Sequence, residues 1–226
     1  MNRLTAVAIV LISACALAQD STPKFQVFGG YSLLHTDDGG LNGPLLNSLL
    51  EAPNGTFGLN SNFNGWNAEA QYNANRWLGL VADVSGHYGG PLTASSGSGV
   101  TGLPGGNEYS FLFGPVLTYR SHAKFEPFAH ALFGFDRASL SAGSFTGLTT
   151  AASGAMTDTA FGMALGGGVD YNLFSHLAIR LGQADYFYTN HDLNSFYGGA
   201  FGPGLFSGLA NHENNLRFST GIVFKF

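Results

Sequence analysis

Residues 214–226 decide the fold, and they read Asn-Asn-Leu-Arg-Phe-Ser-Thr-Gly-Ile-Val-Phe-Lys-Phe. From Leu216 onward, every second residue is apolar except Thr220, and the intervening residues are polar or small except Val223. A period of two predicts a β-strand with one apolar and one polar face. A transmembrane barrel needs such a strand at its end, because the last strand pairs with the first and removes both sheet edges. A closing aromatic residue, here Phe226, suits the membrane interface.

The composition excludes several classes of protein. The chain has 226 residues, of which 45% are hydrophobic and 10% charged, with 33 Gly and 20 Phe. This length predicts one domain or a small pair. Disordered chains have few aromatic residues and many charges, which is the opposite pattern. Because the net charge is −5 and no basic stripe exists, we expect no nucleic-acid partner.

The first 18 residues are predicted to be a cleaved signal peptide, which leaves residues 19–226 as the barrel domain. Met1-Asn2-Arg3 is a short positive region, Leu4–Ile12 is apolar, and Ala16-Leu17-Ala18 has the small-x-small pattern of a cleavage site. The apolar run is too short for a permanent transmembrane helix. The sequence therefore predicts export from the cytoplasm.

The single cysteine, Cys15, lies inside the predicted signal peptide. Cleavage after Ala18 would leave a mature protein without disulfide or thiol chemistry. Ile12-Ser13-Ala14-Cys15 also resembles a lipoprotein cleavage box, so lipidation of Cys15 is the alternative. Beyond the signal peptide no apolar run approaches the length of a transmembrane helix, so a membrane location requires strands.

Eight segments alternate like strands, and each has roughly 10–14 residues, enough to cross an outer membrane at a tilt. They are Lys24–His35, Asn64–Asn73, Trp77–Tyr88, Asn107–Arg120, Phe125–Arg137, Asp158–Tyr171, His176–Tyr188 and Asn214–Phe226. Short turns alternate with four long loops, at Thr36–Phe63, Gly89–Gly106, Ala138–Thr157 and Thr189–Glu213. The sequence therefore predicts an all-β fold, an eight-stranded antiparallel up-and-down transmembrane β-barrel.

Two strands contain irregularities. Pro115 lies in mid-strand and cannot donate a ladder hydrogen bond, so a bulge or a locally unpaired edge must accommodate it. Arg180 and Asp185 fall on opposite parities of one strand. We expect a β-bulge near Gly182–Ala184 that turns both side chains inward.

The charged residues decide which face of the wall points inward. Nearly all of them lie opposite the Phe and Leu residues, and lipid tails cannot accommodate charges. An eight-stranded barrel has an interior just wide enough for side chains, where charges can pair. The predicted lumen charge network consists of Glu69, Asp83, Glu108, Arg120, His130, Asp136, Asp170, Arg180, Asp185 and Arg217. Inward Gly162, Gly166 and Gly168 are expected to leave room for the long arginine side chains.

Aromatic residues gather near both ends of the predicted strands, as in the interfacial girdles of an outer-membrane barrel. Those beside the short turns are Tyr72, Trp77, Tyr119, Phe125, Tyr171, Phe174 and Phe226. Those toward the long loops are Trp66, Tyr88, Tyr109, Phe135 and Phe161.

Several motifs resemble the OmpA-like outer-membrane β-barrel domain family across essentially the whole mature chain. They are Gly114-Pro115 with Tyr119-Arg120, Phe125–His130, Gly166–Tyr171 and Arg180–Tyr186. The resemblance implies an outer-membrane barrel with lipid as its surroundings. The ending, with Phe218, Ile222, Phe224 and Phe226, is similar to the family's C-terminal assembly signal, which the barrel assembly machinery reads. The peptidoglycan-binding domain of OmpA is not expected, because the sequence stops at the barrel.

No motif predicts a catalytic residue, a cofactor or a metal site, so we expect a protein that is not an enzyme. The preferred function is a structural or surface-interaction role, with a plugged lumen and external loops whose ligand is unknown. Two alternatives stay open: a narrow pore for small solutes, and an enzyme at the rim acting on lipid or peptide. The second would require His191, Asp192 and His212 to meet near the outer rim.

Overall fold

The computed structural model describes residues 22–36, 57–59, 61–89, 92–94, 106–120, 124–140, 156–192 and 212–226. Its strands are β1 (Phe25–His35), β2 (Phe57–Leu59), β3 (Asn62–Asn73), β4 (Leu78–Gly89), β5 (Leu92–Ala94), β6 (Gly106–Thr118), β7 (Phe125–Leu140), β8 (Met156–Phe174), β9 (Leu177–Thr189) and β10 (Glu213–Lys225). In this part of the chain, no helix is long and apolar enough to cross a bilayer. The predicted signal peptide, residues 1–18 with Cys15, lies outside the described residues.

Eight strands form one closed barrel in the order β1-β10-β9-β8-β7-β6-β4-β3, which confirms the predicted fold. Every neighbouring pair is antiparallel, including the closing pairs of β1 with β10 and with β3. The short turns, the start of β1 and the end of β10 share one end of the barrel, which we call the short-turn end. The opposite end, where the long connections join the wall, is the long-loop end.

The structure differs from the predicted segments at the long-loop end. β7 and β8 extend until Leu140 pairs with Met156, although the predicted loop spans Ala138–Thr157. β2 and β5 pair with each other in a separate two-stranded sheet within two predicted loops. Beyond the bilayer the outward face no longer has to be apolar, so the alternation that reveals strands fades there.

The two faces of the wall have the predicted orientation. Phe113 is 69% exposed and Ile222 is 48% exposed on the outer surface. Glu69 is 4% exposed and Arg217 is 0% exposed, because both point into the barrel. An outward apolar face and inward charges are the arrangement that a lipid environment requires.

A bulge in β9 changes the parity of that strand, as predicted. Leu181 and Gly182 are consecutive outward residues, and the register shifts there against both neighbouring strands. Arg180 and Asp185 consequently both point inward, with exposures of 2% and 1%. The bulge therefore brings an arginine and an aspartate of one strand into the same interior.

Pro115 is accommodated by a local gap in the ladder, one of the two solutions that the sequence allowed. It pairs with Leu80 of β4 on one side. On the other side, the ladder between β6 and β7 keeps its register but skips Gly114 and Pro115. The missing N–H of proline therefore lies where the ladder is open.

The interior also contains apolar side chains, although most inward positions are polar, charged or small. One cluster comprises Leu34, Val81, Leu112, Val116, Phe128, Leu132, Ala164 and Phe187, and a smaller one comprises Phe28, Ala178 and Val223. These side chains pack between the inward polar groups, and the aromatic members contact the arginines described below.

The seam between β1 and β10 brings two backbones too close for a side chain. Gly30 pairs with Gly221 across it. A Cβ atom on Gly30 would lie 2.1 Å from the carbonyl oxygen of Thr220, whereas a Cβ atom on Gly29 would meet nothing within 4 Å. Glycine at position 30 is therefore required by close approach of the strands that close the barrel.

We expect Gly30→Ala to lower the free energy of unfolding by about 1–3 kcal/mol, since the added methyl group must displace backbone. Urea unfolding in phospholipid vesicles, followed by heat-modifiable gel mobility, measures the change. Gly29→Ala is the matched control on the adjacent outward position and should be close to neutral. Equal destabilisation by the two variants would contradict the close approach at the seam.

Candidate functional site

Arg217 of β10 is the centre of the interior network. Its guanidinium donates to both carboxylate oxygens of Asp83, at 2.8 and 3.1 Å, and twice to Asp185 Oδ2, at 2.8 and 3.0 Å. The three side chains are completely buried. Asp83 belongs to β4, which β3 and β1 separate from β10 around the wall, so this contact crosses the interior. Paired geometry of this kind is what makes a buried guanidinium tolerable.

Further side chains hold the two carboxylates in place. His130 Nε2 lies 2.8 Å from Asp185 Oδ1. Asn67 Nδ2 donates to Asp83 Oδ2 at 2.7 Å. Each aspartate therefore has partners besides Arg217, and its orientation is fixed from several strands at once.

Arg180 of β9 forms a second cluster. It donates through Nη1 to Glu69 Oε2 at 2.7 Å and through Nε to Asp170 Oδ1 at 2.9 Å. Its Cζ atom lies 4.2 Å from the ring centroids of both Phe28 and Phe128. The guanidinium thus stacks between two aromatic rings, and its N–H groups donate to two carboxylates. These contacts compensate for the hydration that the buried cation has lost.

Gln183 joins the two clusters. Its Oε1 atom accepts a hydrogen bond from Arg180 Nη1, and its Nε2 atom donates to Asp185 Oδ2 at 2.9 Å. The connected network consequently includes side chains from β3, β4, β7, β8, β9 and β10.

Two wall glycines make room for this network. A Cβ atom on Gly166 would lie 2.2 Å from Asp185 Oδ1, and one on Gly168 would lie 2.9 Å from Cζ of Phe128. Sequence reasoning expected these glycines to make room for arginines. At Gly166 the space is instead taken by Asp185 together with the backbone oxygen of Ala184, and at Gly168 the nearest atom is the backbone oxygen of Gly182, at 2.4 Å, followed by Phe128. Gly162 has only ordinary contacts, the nearest being Leu112 at 3.4 Å.

A separate cluster occupies the short-turn end. Lys225 Nζ donates to Glu126 Oε2 at 2.8 Å and to Asn172 Oδ1 at 2.6 Å, and Asn172 Nδ2 donates to Glu126 Oε1 at 2.7 Å. Arg120 Nε lies 3.5 Å from Glu126 Oε2, and its Nη1 donates to the backbone oxygen of Arg76 at 2.9 Å. This cluster ties the end of β10 to β7 and to two turns.

A histidine and acidic residues form the cluster at the long-loop end. His191 Nδ1 lies 2.8 Å from Asp158 Oδ2, and its Nε2 lies 3.2 Å from Asp136 Oδ2. Glu108 and Glu213 interact electrostatically with Asp136. Burial alone would lower the pKa of His191, but its two carboxylate partners outweigh that effect and raise the pKa to about 9.

All ten residues of the predicted network have inward positions. The buried ones are Glu69, Asp83, His130, Asp136, Asp170, Arg180, Asp185 and Arg217. Glu108 and Arg120 are half-buried. Asn67 and Gln183 join the connected network and Glu126 belongs to the cluster at the short-turn end, but all three were absent from the predicted set. Their inward parity was the signal that could have found them.

The four residues that resemble the family's C-terminal assembly signal lie on the outer surface or at the rim. Phe218, Ile222 and Phe224 are 47–48% exposed on β10, and Phe226 is half-buried just beyond it. They form an apolar stripe on the strand that closes the barrel.

The structure does not bring together the two histidines considered for a rim enzyme. His191 is buried on the inner side of the wall, against Asp136 and Asp158. His212 is exposed and stacks on the outward ring of Tyr188, with centroids 5.9 Å apart. The two histidines therefore lie on opposite faces. Among the described residues, no group of three or more His, Cys, Asp or Glu is arranged to hold a metal ion.

We expect Arg217→Met to lower the free energy of unfolding by about 3–5 kcal/mol, because Asp83 and Asp185 would stay buried without their cation. Urea unfolding in vesicles measures the loss. Arg137→Met, which removes an exposed cation, is the control and should change stability by less than about 0.5 kcal/mol. Adding Asp83→Asn and Asp185→Asn to Arg217→Met should restore part of the stability. A result in which the two arginine variants are equally stable would refute the role given to Arg217.

Because of His191, we expect the free energy of unfolding to decrease at alkaline pH. Its pKa in the folded protein, about 9, exceeds the ordinary value of 6.5, so the protonated ring stabilises the fold fully below about pH 6.5. That contribution, on the order of 2–3 kcal/mol, is lost as the pH rises through about 9. Urea unfolding at about pH 6 and about pH 10, compared with His191→Gln, isolates the effect. The same pH slope in both proteins would show that His191 does not contribute.

Comparison with known proteins supports the fold independently of these contacts. Among solved structures, the chain is similar to Ail, the attachment invasion locus protein of Yersinia pestis, with a TM-score of 0.52 and 16% identity over 91% of this chain and 99% of that one. Ail in complex with the heparin analogue sucrose octasulfate gives a TM-score of 0.50 at the same identity and coverage. Neisserial surface protein A gives a TM-score of 0.52 and 14% identity over 90% of this chain and 97% of that one.

These identities are low, so the likenesses establish the fold alone. No curated protein matches the chain. The sequence matches the family described as outer membrane protein beta-barrel domain over residues 4–220, nearly its full length. The chain therefore belongs to the outer membrane protein β-barrel domain family and is located in the outer membrane, with its apolar face in contact with lipid.

Proposed function

We propose that this protein is a structural or surface-interaction barrel with a plugged lumen, and that it is not an enzyme. The observation that carries the proposal is the contact of Arg217 with Asp83 and Asp185, which spans the interior between β10, β4 and β9. A solute would have to separate these buried ion pairs in order to pass. Breaking such a pair leaves a buried charge without compensation, which costs about 3–5 kcal/mol.

The other layers of the interior support the same proposal. The Arg180 cluster lies between the centre and the short-turn end, the Glu126 cluster lies at that end, and the His191 cluster lies toward the long-loop end. A barrel of eight strands has an interior that side chains fill. Successive layers of side chains therefore occupy the interior that a solute would have to cross.

We propose that the long-loop end faces the cell exterior. The chain enters β1 and leaves β10 at the short-turn end, and outer-membrane barrels have their short turns in the periplasm and their long loops outside. The outward stripe of Phe218, Ile222 and Phe224 would be read by the barrel assembly machinery before insertion, as the family resemblance implies. The long connections would then be the part of the protein that meets other surfaces.

The charge of those connections limits what they would bind. Residues 36–61, 90–105, 141–155 and 190–212 contain no Lys or Arg, and they include Asp37, Asp38, Glu51 and Asp192. Ail has been solved with sucrose octasulfate, a densely sulfated ligand. A sulfated ligand calls for several cations, so we propose that this chain contacts neutral or apolar surfaces instead.

A narrow pore is the second candidate and would be favoured by a steady current. The rim enzyme is disfavoured by the separation of His191 from His212 across the wall.

Planar-bilayer recording tests the plugged lumen. We expect the refolded parent protein to show no large, steady channel. Replacing Arg217, Asp83 and Asp185 together by Ala should raise the conductance above that of the parent, because the central layer is then removed and only the layers on either side of it obstruct the interior. Arg137→Ala, refolded and recorded in the same way, is the control and should show the same conductance as the parent. A large, steady current through the parent would overturn the proposal in favour of the pore.

A further inference from the structure

Three exposed cations line one arc of the short-turn end. Lys24 precedes β1, Arg76 lies in the turn between β3 and β4, and Lys124 precedes β7. Going round the wall, β1, β3, β4, β6 and β7 are consecutive neighbours. We call Lys24, Arg76 and Lys124 the basic arc.

Each cation of the basic arc is followed directly by an exposed aromatic residue. Phe25, Trp77 and Phe125 are 54%, 56% and 51% exposed on the outside of the barrel. Phe25 packs on Tyr72, with ring centroids 5.2 Å apart, and Phe125 packs on Tyr171 at 5.0 Å. Exposed aromatic rings of this kind mark the level of the lipid headgroups. The basic arc therefore lies at headgroup level rather than in open water.

One contact fixes a cation directly at that level. Lys124 Nζ lies 5.9 Å from the centroid of the Tyr171 ring. The turns that carry Arg76 and Lys124 are also tied together, because Arg120 donates to the backbone oxygen of Arg76 from the turn before Lys124. The spacing of the cations is consequently set by the wall.

The basic arc is not neutralised by ion pairs in the described part of the chain, although the carboxyl group of Phe226 lies at the same end, where Phe226 pairs with Phe25. None of its members forms an ion pair with a described carboxylate. The acidic residues nearest this end, Glu126 and Asp170, are buried and paired with Lys225 and Arg180 inside the barrel. The positive charge of the arc is therefore directed outward, toward whatever lies beside the wall.

The long-loop end, in contrast, has few exposed cations. Of the nine Lys and Arg residues in the sequence, only Arg137 belongs to that end, where it is exposed, and the connecting segments contain none. The exposed cations of the wall are thus concentrated at one interface of the membrane.

We propose that the basic arc binds anionic phospholipid headgroups, so that the short-turn rim selects acidic lipid from the bilayer around it. The ammonium and guanidinium groups would meet the lipid phosphates, and the adjacent rings would contact the glycerol and upper acyl region. In the orientation proposed above, this rim lies in the periplasmic leaflet. The selectivity itself does not depend on that orientation or on the plugged lumen.

The two tryptophans of the chain allow a direct test, because they report opposite ends of the wall. Trp77 follows Arg76 at the short-turn end, whereas Trp66 lies toward the long-loop end. Trp66→Phe leaves Trp77 as the only fluorophore, and Trp77→Phe leaves Trp66. Each variant is refolded into vesicles that contain brominated phosphatidylglycerol or brominated phosphatidylcholine, mixed with the unbrominated lipid of the other headgroup. Quenching then gives the relative association of each lipid with each end.

We expect phosphatidylglycerol to be favoured at Trp77 by at least about threefold and to show no preference at Trp66. In the Trp66→Phe background, Lys24→Gln, Arg76→Gln and Lys124→Gln together should abolish the preference, whereas Arg137→Gln should leave it unchanged. Raising the salt concentration should also weaken it in the unaltered arc, because exposed charges are screened. Gel mobility establishes that each variant is folded, and the salt series tests the proposal even if the triple variant does not fold.

Equal quenching by the two lipids at Trp77 would overturn the proposal. So would a preference that survives the triple substitution or high salt, or an equal preference at Trp66. Free inorganic phosphate is the control for headgroup chemistry. If phosphate at millimolar concentration removed the preference, the arc would be a site for soluble anions rather than for lipid. A planar-bilayer channel in the parent would affect the proposed function and leave this result untouched.

Discussion

The lipid bilayer offers the backbone no hydrogen-bond partners, and the rest of this structure follows from that constraint. Each of the eight wall strands must be paired on both edges, which requires β10 to join β1. The seam runs without a shift from Gln26 to His35, and Gly30 and Gly221 allow its backbones to approach closely. Closing so small a ring leaves an interior that only side chains can occupy, which determines where the charges go.

Inside that ring, charge pairing and wall geometry depend on each other. Arg217 and Arg180 are long enough to reach carboxylates on other strands, and the β9 bulge adds Asp185 to them by turning it to the same side as Arg180. Gly166 leaves the space in which Asp185 stands. A shift of one residue in any strand that carries a charge of the network would present that charge to lipid, so the network also specifies the register of those strands.

The sequence predicted the features that the period of two controls, and it missed those that depend on contacts between strands. Alternation marked Phe113 as outward and Glu69 as inward, and the parity conflict between Arg180 and Asp185 predicted the bulge. No such signal predicted the stacking of Arg180 between Phe28 and Phe128. An inward Phe departs from the alternation of outward apolar and inward polar residues, and the two rings come from strands that are not adjacent to β9. The extension of β7 and β8 to Leu140 and Met156 was missed because beyond the bilayer the alternation fades.

The distribution of the two signs of charge along the chain has a consequence for biogenesis. The carboxylates of Glu69 and Asp83 lie on early strands, whereas the guanidiniums that neutralise them, Arg180 and Arg217, arrive on the last two. An incomplete sheet without β9 and β10 would expose unpaired carboxylates to the hydrocarbon of the bilayer. The free-energy cost of that exposure strongly opposes insertion of the incomplete sheet. The unpaired charges therefore disfavour insertion before synthesis of the last two strands, and the closed barrel is the form whose charges are paired well enough to enter the membrane.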